Sequence, residues 1–507
     1  MVDVEGPQNS HRHVRYDELL APVPSKENDV SFNRASATYT NLDERFRAAK
    51  RTYERQYAQL YFSRLMLLKE VMRGRVQQLW PGVPVCAILE VQESKEVAVI
   101  GTIYKNMKLK PSILDEYAKD RGLKAALGAS NFCSDDDSVA LEDEGARMVL
   151  NVAAGAPGAS VPVSRFESGS AGGGEPLNVQ ALMTGLVLAV RGVHEPGGDF
   201  VVSAVCFPGM APNPQPLPTL MPQRGGATAT GDKYVALVSG LCLGGTKADM
   251  LKTQLALDFL TGSLGSPAEQ QLSAQIVRLV VVGGCVGQLE ALGGWAAGGG
   301  GGGSSSNPYN RQAQGVPLQP VRDLDLLLAE VSSGMPVDVM PGAEDPANVA
   351  LPQQPMHRCL FPAAGMHGSF VRATNPHEFE SDGVRFLGCS GQNVDDMAKY
   401  CAIGDRLDLM ENSLVYRHLA PTAPDTLTCY PFHDMDPFFL ETTPHVYFVG
   451  NQPEFATRLV GGSTAGATGP VVRLVAVPGF AHTGMIVLVN LRTLACHPVR
   501  FDGSLGL

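Results

Sequence analysis

The chain is short of charge. Asp, Glu, Lys and Arg make up 18 % of its 507 residues, and acidic residues outnumber basic ones 51 to 40. The net charge of -11 excludes a protein that coats nucleic acid through a basic surface, because such binding needs a surplus of cations to displace counterions. None of the ten cysteines forms a Cys-x-x-Cys pair, which excludes a zinc ribbon or a thioredoxin motif, and their scattered spacing does not suggest a disulfide scaffold. No run reaches the roughly 20 apolar residues of a membrane span. The first twenty residues lack the apolar centre of a signal peptide. The class expected from these absences is a soluble intracellular protein with reduced, mostly buried thiols.

What is plentiful is Gly (55) and Pro (36), and their placement divides the chain. Residues 1–40 are polar with little pattern and read as a disordered lead-in. A long helix is predicted over 41–81, capped by Asn41 or Asp43 and stopped at Trp80-Pro81-Gly82. Its apolar stripe is Tyr53, Tyr57, Tyr61, Leu65, Leu68, Met72, Val76 and Leu79, at helical spacing. Arg45, Arg47, Lys50, Arg51, Arg55, Arg64, Lys69, Arg73 and Arg75 occupy the other faces. They read as a solvated surface, with contact to DNA or an acidic partner as the functional alternative.

From 82 to 210 the period changes to two. Candidate strands are Val85–Val91, Glu96–Lys105, Asp137–Glu142, Ala146–Val152, Leu186–Val193 and Phe200–Cys206, with a helical piece at Ser112–Arg121. Strands of this number and length suggest a small closed barrel of OB type, carrying a Gly/Ala/Ser-rich insertion at 153–175. A Pro-rich linker is expected over 211–231. Residues 232–507 then alternate short Val-rich runs with helical ones. The runs are Tyr234–Val238, Ile276–Val282, Val337–Met340, His445–Val449 and Val471–Val477; the helices are Asp249–Leu260, Val321–Ser332 and Val394–His418. This is the texture of an α/β domain whose strands are covered on both faces. The Gly-rich stretch 293–315 reads as a disordered loop within it.

In such a domain, ligands gather at the carboxyl ends of the strands. The turns there are Ser239-Gly240-Leu241, Gly283-Gly284-Cys285, Gly342-Ala343-Glu344-Asp345 and Gly450-Asn451-Gln452-Pro453. Their order resembles the calcineurin-like metallophosphoesterases, which place D-x-H, G-D, G-N-H-[DE] and G-H-x-H at these turns to hold two metals. Here Ser239 and Leu241 stand for Asp and His, Gly284 for Asp, and Ala343 and Glu344 for Asn and His. The fourth turn has neither His. Asp345 alone is left as a plausible ligand, and one carboxylate cannot hold two divalent ions. No histidine set has metal-ligand spacing, Cys242 and Cys285 read as buried small hydrophobes, and Leu243–Lys247 lacks the spacing of a phosphate loop. The expectation is a phosphoesterase-like scaffold with no catalytic, cofactor-binding or metal-binding residues.

Longer runs carry a second resemblance. They include A-T-Y-T-N at 37–41, V-I-G-T at 99–102, L-K-P-S-I-L at 109–114, V-S-G-L at 238–241, P-V-D-V-M-P-G at 336–342 and L-P-Q-Q-P at 351–355. Further on come G-V-R-F-L-G at 383–388, S-G-Q-N-V at 390–394, A-P-T-A-P-D-T-L at 420–427 and P-H-V-Y-F at 444–448. Over about 35–507 the chain resembles the B-type accessory subunits of the eukaryotic replicative DNA polymerases, those of polymerase delta most. The resemblance implies a fold class of N-terminal helix, OB barrel and metal-less phosphoesterase domain. It implies a non-catalytic nuclear accessory subunit in DNA replication and repair, without cofactor or membrane contact. Its partners would be the catalytic subunit of the polymerase, through that subunit's C-terminal domain, and a third, clamp-binding accessory subunit, with room for a weak DNA contact within the complex. Two other readings stay open: a metal-dependent phosphodiesterase or exonuclease, and a single-strand-binding OB protein using Tyr104, Tyr117, Phe132, Lys105, Lys108 and Lys110.

Overall fold

The computed structural model describes residues 12–14, 32–48, 54, 56–111, 131–151, 163–164, 178–214, 231–287, 318–461 and 470–502. The helical piece at Ser112–Arg121 and the Gly-rich stretches at 153–175, 293–315 and 462–469 lie outside them, apart from 163–164.

The lead-in is more structured than its polarity suggests. Arg12–Val14 (β1) and Tyr39–Asn41 (β2) are strands, and Asp43–Phe46 is a single 3-10 turn. The long helix therefore does not begin at 41. Within the described residues it is Ala58–Leu79 (α1), closing at Trp80, with Gly82 at φ +86° beyond it. A strand wins at 39–41 because a sheet edge in the second domain takes it up: Tyr39, Thr40 and Asn41 pair with Ser381, Glu380 and Phe379. The predicted stripe holds for Leu65, Leu68, Met72 and Val76, which are buried, while Tyr57 and Leu79 are exposed. Arg64, read as surface, is fully buried.

The barrel strands are Val85–Cys86 (β3), Glu96–Asn106 (β4), Ser138–Glu142 (β5), Arg147–Asn151 (β6), Val163–Ser164 (β7), Val187–His194 (β8) and Phe200–Cys206 (β9). β4 pairs with β5, β5 with β6, β6 in parallel with β9, β9 with β8, and β8 back with β4. This closed five-strand ring is the OB arrangement. β4 is buried along nearly its whole length rather than on alternate residues. Val97 and Val99 face the barrel interior, while Ala98 and Ile100 face out beneath α1, joined there by Val187, Ala189 and Cys206. Burying each large side chain of the α1 stripe contributes about 1.5–3 kcal/mol. The predicted strand Val85–Val91 is cut short. Asp143 accepts from the Ile88 N–H (2.7 Å) and Glu90 from the Ala87 N–H (3.1 Å), so side chains draw Ile88–Glu90 into a 3-10 turn.

The second domain is a sandwich of two mixed sheets. Its elements are Tyr234–Val238 (β10), Met250–Thr261 (α2), Pro267–Ala274 (α3), Ile276–Val282 (β11), Gln319–Gly334 (α4), Val337–Met340 (β12), Phe370–Arg372 (β13), His377–Ser381 (β14), Val384–Cys389 (β15), Gln392–Tyr400 (α5), Arg406–Val415 (α6), Val446–Gln452 (β16), Ala456–Val460 (β17), Val472–Pro478 (β18), Phe480–Thr483 (α7), Met485–Asn490 (β19) and Cys496–Phe501 (β20). One sheet runs β1-β20-β19-β10-β11-β12-β13 and the other β17-β18-β16-β15-β14-β2. Val235, Leu237, Val280, Phe386, Phe448 and Val475 meet between them. Leu255, Phe259, Leu324 and Leu328 of α2 and α4 cover the outer face of the first sheet. α5 and α6 cover the second, in a cluster continuous with the barrel interior. The one predicted helix Val394–His418 is two. Asn131 Nδ2 donates to the Ala398 and Cys401 carbonyls at the end of α5 (2.8 and 2.6 Å), and Asp405 caps α6 by accepting from the Leu407 N–H. Of the aromatic residues late in the chain, which read equally as core or as partner anchors, Phe438, Phe439, Tyr447 and Phe448 are buried, and Phe432 is half-buried against the core. Ala211 and Asn213, assigned to the linker, pack against the sandwich: Asn213 donates to the Thr443 and Val471 carbonyls.

Two buried ionic clusters tie these bodies together. Arg64 Nε donates to Asp436 Oδ2 (2.9 Å), and its terminal nitrogens donate to the Pro421 (2.8 Å), Ala423 (2.6 Å) and Gly185 (3.3 Å) carbonyls. His418 Nε2 lies 2.8 Å from the same Asp436 oxygen, and its Nδ1 accepts from the Ala420 N–H. Burial and the neighbouring guanidinium hold His418 below its usual range, against the pull of Asp436. Burial works against the Asp436 charge, but His418 and Arg64 outweigh it and keep the carboxyl well below the usual carboxylate range. In the second cluster, His377 lies between Asp43 (2.8 Å) and Asp338 (3.3 Å), and Arg278 binds Asp338 (2.5 Å) while stacking 3.4 Å above the Tyr39 ring. Burial disfavours the charged ring, yet the two carboxylates push His377 up to about 9.

Arg64→Met removes the guanidinium that neutralises Asp436 and should cost about 3–5 kcal/mol, read as a fall in the urea midpoint; a shift no larger than that of an exposed Arg73→Met control would contradict this role. The stability that His377 contributes is fully present below its ordinary value of 6.5 and is lost as pH rises through about 9. Urea titrations between pH 6.5 and 9.5 should therefore show stability falling in the wild type and falling less in His377→Gln, parallel curves being the contrary result.

Candidate functional site

The four turns singled out in the sequence converge at one end of the sandwich. They border a cavity of about 360 Å³ whose wall includes Cys242, Lys247, Gly284, Glu344, Asn451 and His482. The Gly240 N–H donates to the Gly283 carbonyl (2.9 Å), and the Cys242 N–H to the Gly284 carbonyl (2.9 Å), so the first two turns are stitched backbone to backbone. The Ser239 hydroxyl accepts from the Asn451 N–H (2.9 Å) and lies 3.1 Å from the Pro478 carbonyl. Asn451 sits at φ +55° and donates through Nδ2 to Ser390 O (2.7 Å), Ser390 Oγ (3.1 Å) and Val282 O (3.3 Å).

The glycines at these strand ends are explained by close approach. A Cβ on Gly284, which has φ +67°, would lie 2.5 Å from Asn451 Oδ1 and 2.9 Å from Gly240 Cα. A Cβ on Gly342 would lie 2.4 Å from the Gly284 nitrogen. Position 284, where the metallophosphoesterase resemblance expects an Asp, thus has no room for any side chain without moving backbone.

Asp345, the one carboxylate left as a plausible ligand, is fully enclosed. Oδ2 accepts from the Gly284 (2.9 Å) and Gly342 (2.7 Å) N–H groups, and Oδ1 from the Val286 N–H (2.9 Å). Burial raises its pKa, and these backbone donors act against that rise. Asp345 clamps the turns after β11 and β12 together.

Around it runs a neutral amide network. Gln353 donates to the Gly342 and Asn348 carbonyls (both 2.9 Å). Its Oε1 accepts from Asn375 Nδ2 (2.8 Å) and Gln392 Nε2 (2.9 Å). The Ser390 N–H donates to Asn375 Oδ1 (3.0 Å), and Asn393 reaches the Leu419 carbonyl (2.7 Å). The S-G-Q-N-V run therefore holds internal turns through its side chains. Gln353 and Asn375 were not picked out as members of the site, since isolated Gln and Asn carry no spacing signal. Among the described residues, no group of three or more His, Cys, Asp or Glu side chains is placed to hold a metal ion.

The lysines of the candidate single-strand-binding surface are internally paired. Lys105 is buried, 3.5 Å from Asp137; Lys108 binds Asp136 (2.8 Å) and Lys110 binds Asp425 (2.7 Å). Tyr104 lies under the Arg147 guanidinium, and Phe132 is buried against Tyr400; Tyr117 lies outside the described residues. On α1, Lys69 pairs with Glu144, while Arg75 presses on Gly209.

Comparison with known proteins agrees with this architecture. Residues 56–205 match the family model described as DNA polymerase delta subunit OB-fold domain, and residues 235–457 match the model for the B-type subunits of DNA polymerases alpha and epsilon. The chain is 41 % identical to the DNA polymerase delta small subunit of Arabidopsis thaliana, over 93 % of this chain and 97 % of that protein. It is 40 % identical to that of Oryza sativa subsp. japonica, over 93 % and 99 %. To that of Saccharomyces cerevisiae it is 30 % identical, over 89 % and 91 %. With barrel, sandwich and near full-length similarity in agreement, the chain belongs to the DNA polymerase delta small-subunit family.

Proposed function

We propose that the chain is a non-catalytic accessory subunit that bridges the C-terminal domain of the catalytic subunit of polymerase delta to another accessory subunit, in the nucleus, during DNA replication and repair. The observation that carries the non-catalytic part is the cleft at the strand ends. A phosphoesterase-type reaction needs carboxylates and imidazoles around two ions. Here those corners are close-packed glycine backbone, neutral Ser, Asn and Gln groups, and the Asp345 carboxylate, whose oxygens already receive three N–H donors; Glu344, Asp395 and His482 also line the cavity, but among the described residues no three such groups come together as metal ligands. The phosphoesterase-like origin of the sandwich is supported by the convergence of those four turns.

A bridging role suits the same construction. Barrel, helix and sandwich share buried clusters instead of meeting at a wet seam, so the chain presents fixed surfaces to partners. The single-strand-binding reading is not favoured, because its lysines are spent on internal carboxylates.

Isolated from its native extract, the chain should co-purify at fixed stoichiometry with a larger polymerase subunit. Repurified alone, it should give no manganese-dependent hydrolysis of nucleotide or DNA phosphodiesters. Metal-dependent turnover that persists through repurification would overturn the non-catalytic assignment, and a partner-free monomer in the extract would overturn the bridging one.

A further inference from the structure

The ten cysteines differ sharply in their surroundings. Five are buried, four are half-buried, and Cys359 alone is exposed. Burial raises the thiol pKa of each of the other nine. Since the thiolate is the nucleophile, those nine are poorly reactive.

Cys359 sits on a single 3-10 turn, Arg358–Leu360, in the connection from β12 to β13. Its Sγ lies 2.9 Å from His357 Nδ1, and its own backbone N–H also points at that nitrogen (3.3 Å). A ring nitrogen that accepts a backbone N–H is unprotonated, so Nδ1 is the basic nitrogen and Nε2 carries the hydrogen. A nucleophile and a base are thus within direct reach of each other, the arrangement that activates thiols.

The turn is also held still. On one side Arg372 donates to the Met356 carbonyl (2.9 Å). On the other Phe361 is buried, and Asp325 of α4 accepts from the Ala363 and Ala364 N–H groups (both 2.9 Å). The pair is therefore anchored from both flanks while the sulfur faces solvent.

We infer that Cys359 is a site of reversible thiol modification, with His357 as its base and low-molecular-weight disulfides such as oxidised glutathione as the co-reactant. His357 Nδ1 takes the thiol proton. The Cys359 sulfur attacks one sulfur of the disulfide, forming a new S–S bond as the old one breaks. The departing thiolate takes the proton back from the imidazolium. One disulfide is exchanged for a mixed disulfide and one free thiol, so no other oxidant is required. The site does not depend on the accessory-subunit reading.

The test treats the folded full-length chain with oxidised glutathione and maps adducts by peptide mass. The expected result is a single glutathione on the Cys359 peptide, removed by dithiothreitol and absent in Cys359→Ser. His357→Gln should slow the reaction about tenfold near neutral pH, and the gap should close at alkaline pH where the thiol ionises unaided. That convergence separates a base from a merely structural neighbour. Alkylation of the wild type by iodoacetamide at pH 7 gives a second reading, expected about tenfold faster than for a short peptide of the same local sequence. Comparable labelling of a buried cysteine, no adduct, a His357→Gln rate equal to wild type at every pH, or alkylation no faster than the peptide would each overturn the assignment.

Discussion

A charged guanidinium with no access to water constrains this molecule more than any other group. Arg64 extends from α1 into the junction of barrel and sandwich, where an unpaired cation would be intolerable. It is accommodated because four groups from distant stretches of chain arrive together: the Asp436 carboxylate and the carbonyls of Gly185, Pro421 and Ala423. Each of those groups would in turn be left with an unmet hydrogen bond if the bodies separated. The cluster specifies one relative placement of helix, barrel and sandwich, and the apolar contacts of Leu65, Leu68 and Met72 then fill in around it.

The cleft follows a related logic, with backbone amides in place of a guanidinium around its buried carboxylate. An active two-metal site keeps its strand ends apart and lines the gap with ligands. Here Gly240, Gly284 and Gly342 bring backbones into contact, and Asp345 turns inward to receive the amides of Gly284 and Gly342. Ser390 and Asn451 close the remaining gap with uncharged hydrogen bonds. The cleft is shaped by cross-linking of its own turns.

Much of this was legible in the sequence wherever a local signal existed. The alternation in 96–105, 186–193 and 200–206 placed the barrel strands almost to the residue, and the Val-rich runs placed β10, β11 and β12 without error. The glycine at each strand end marked the cleft. Other features were illegible because their causes are distant. Nothing near Arg64 distinguishes it from the solvated arginines around it; its partner lies 372 residues away. The strand at 39–41 forms on an edge more than three hundred residues downstream. One omission did have a local signal. Asp382-Gly383 lies between the alternating runs of β14 and β15, and both residues have positive φ, as a tight hairpin requires.

The reach of the N-terminal segment bears on how the chain comes into being. Arg34 donates to the Leu260, Ser273 and Ile276 carbonyls, Thr38 binds Asp382, and Asp43 binds His377. β10 is flanked on one side by β19, which ends at Asn490. On a ribosome, which releases the chain from its N-terminal side onward, all the barrel strands have emerged once residue 206 is out. The sandwich must wait for β19 and β20, and the segment from Arg34 to Asp43 waits with it. There is therefore an interval in which the barrel strands have emerged while the apolar sheet of the sandwich is still open and α5 and α6 have yet to complete the shared core, and in that interval the open sheet is most exposed to premature association.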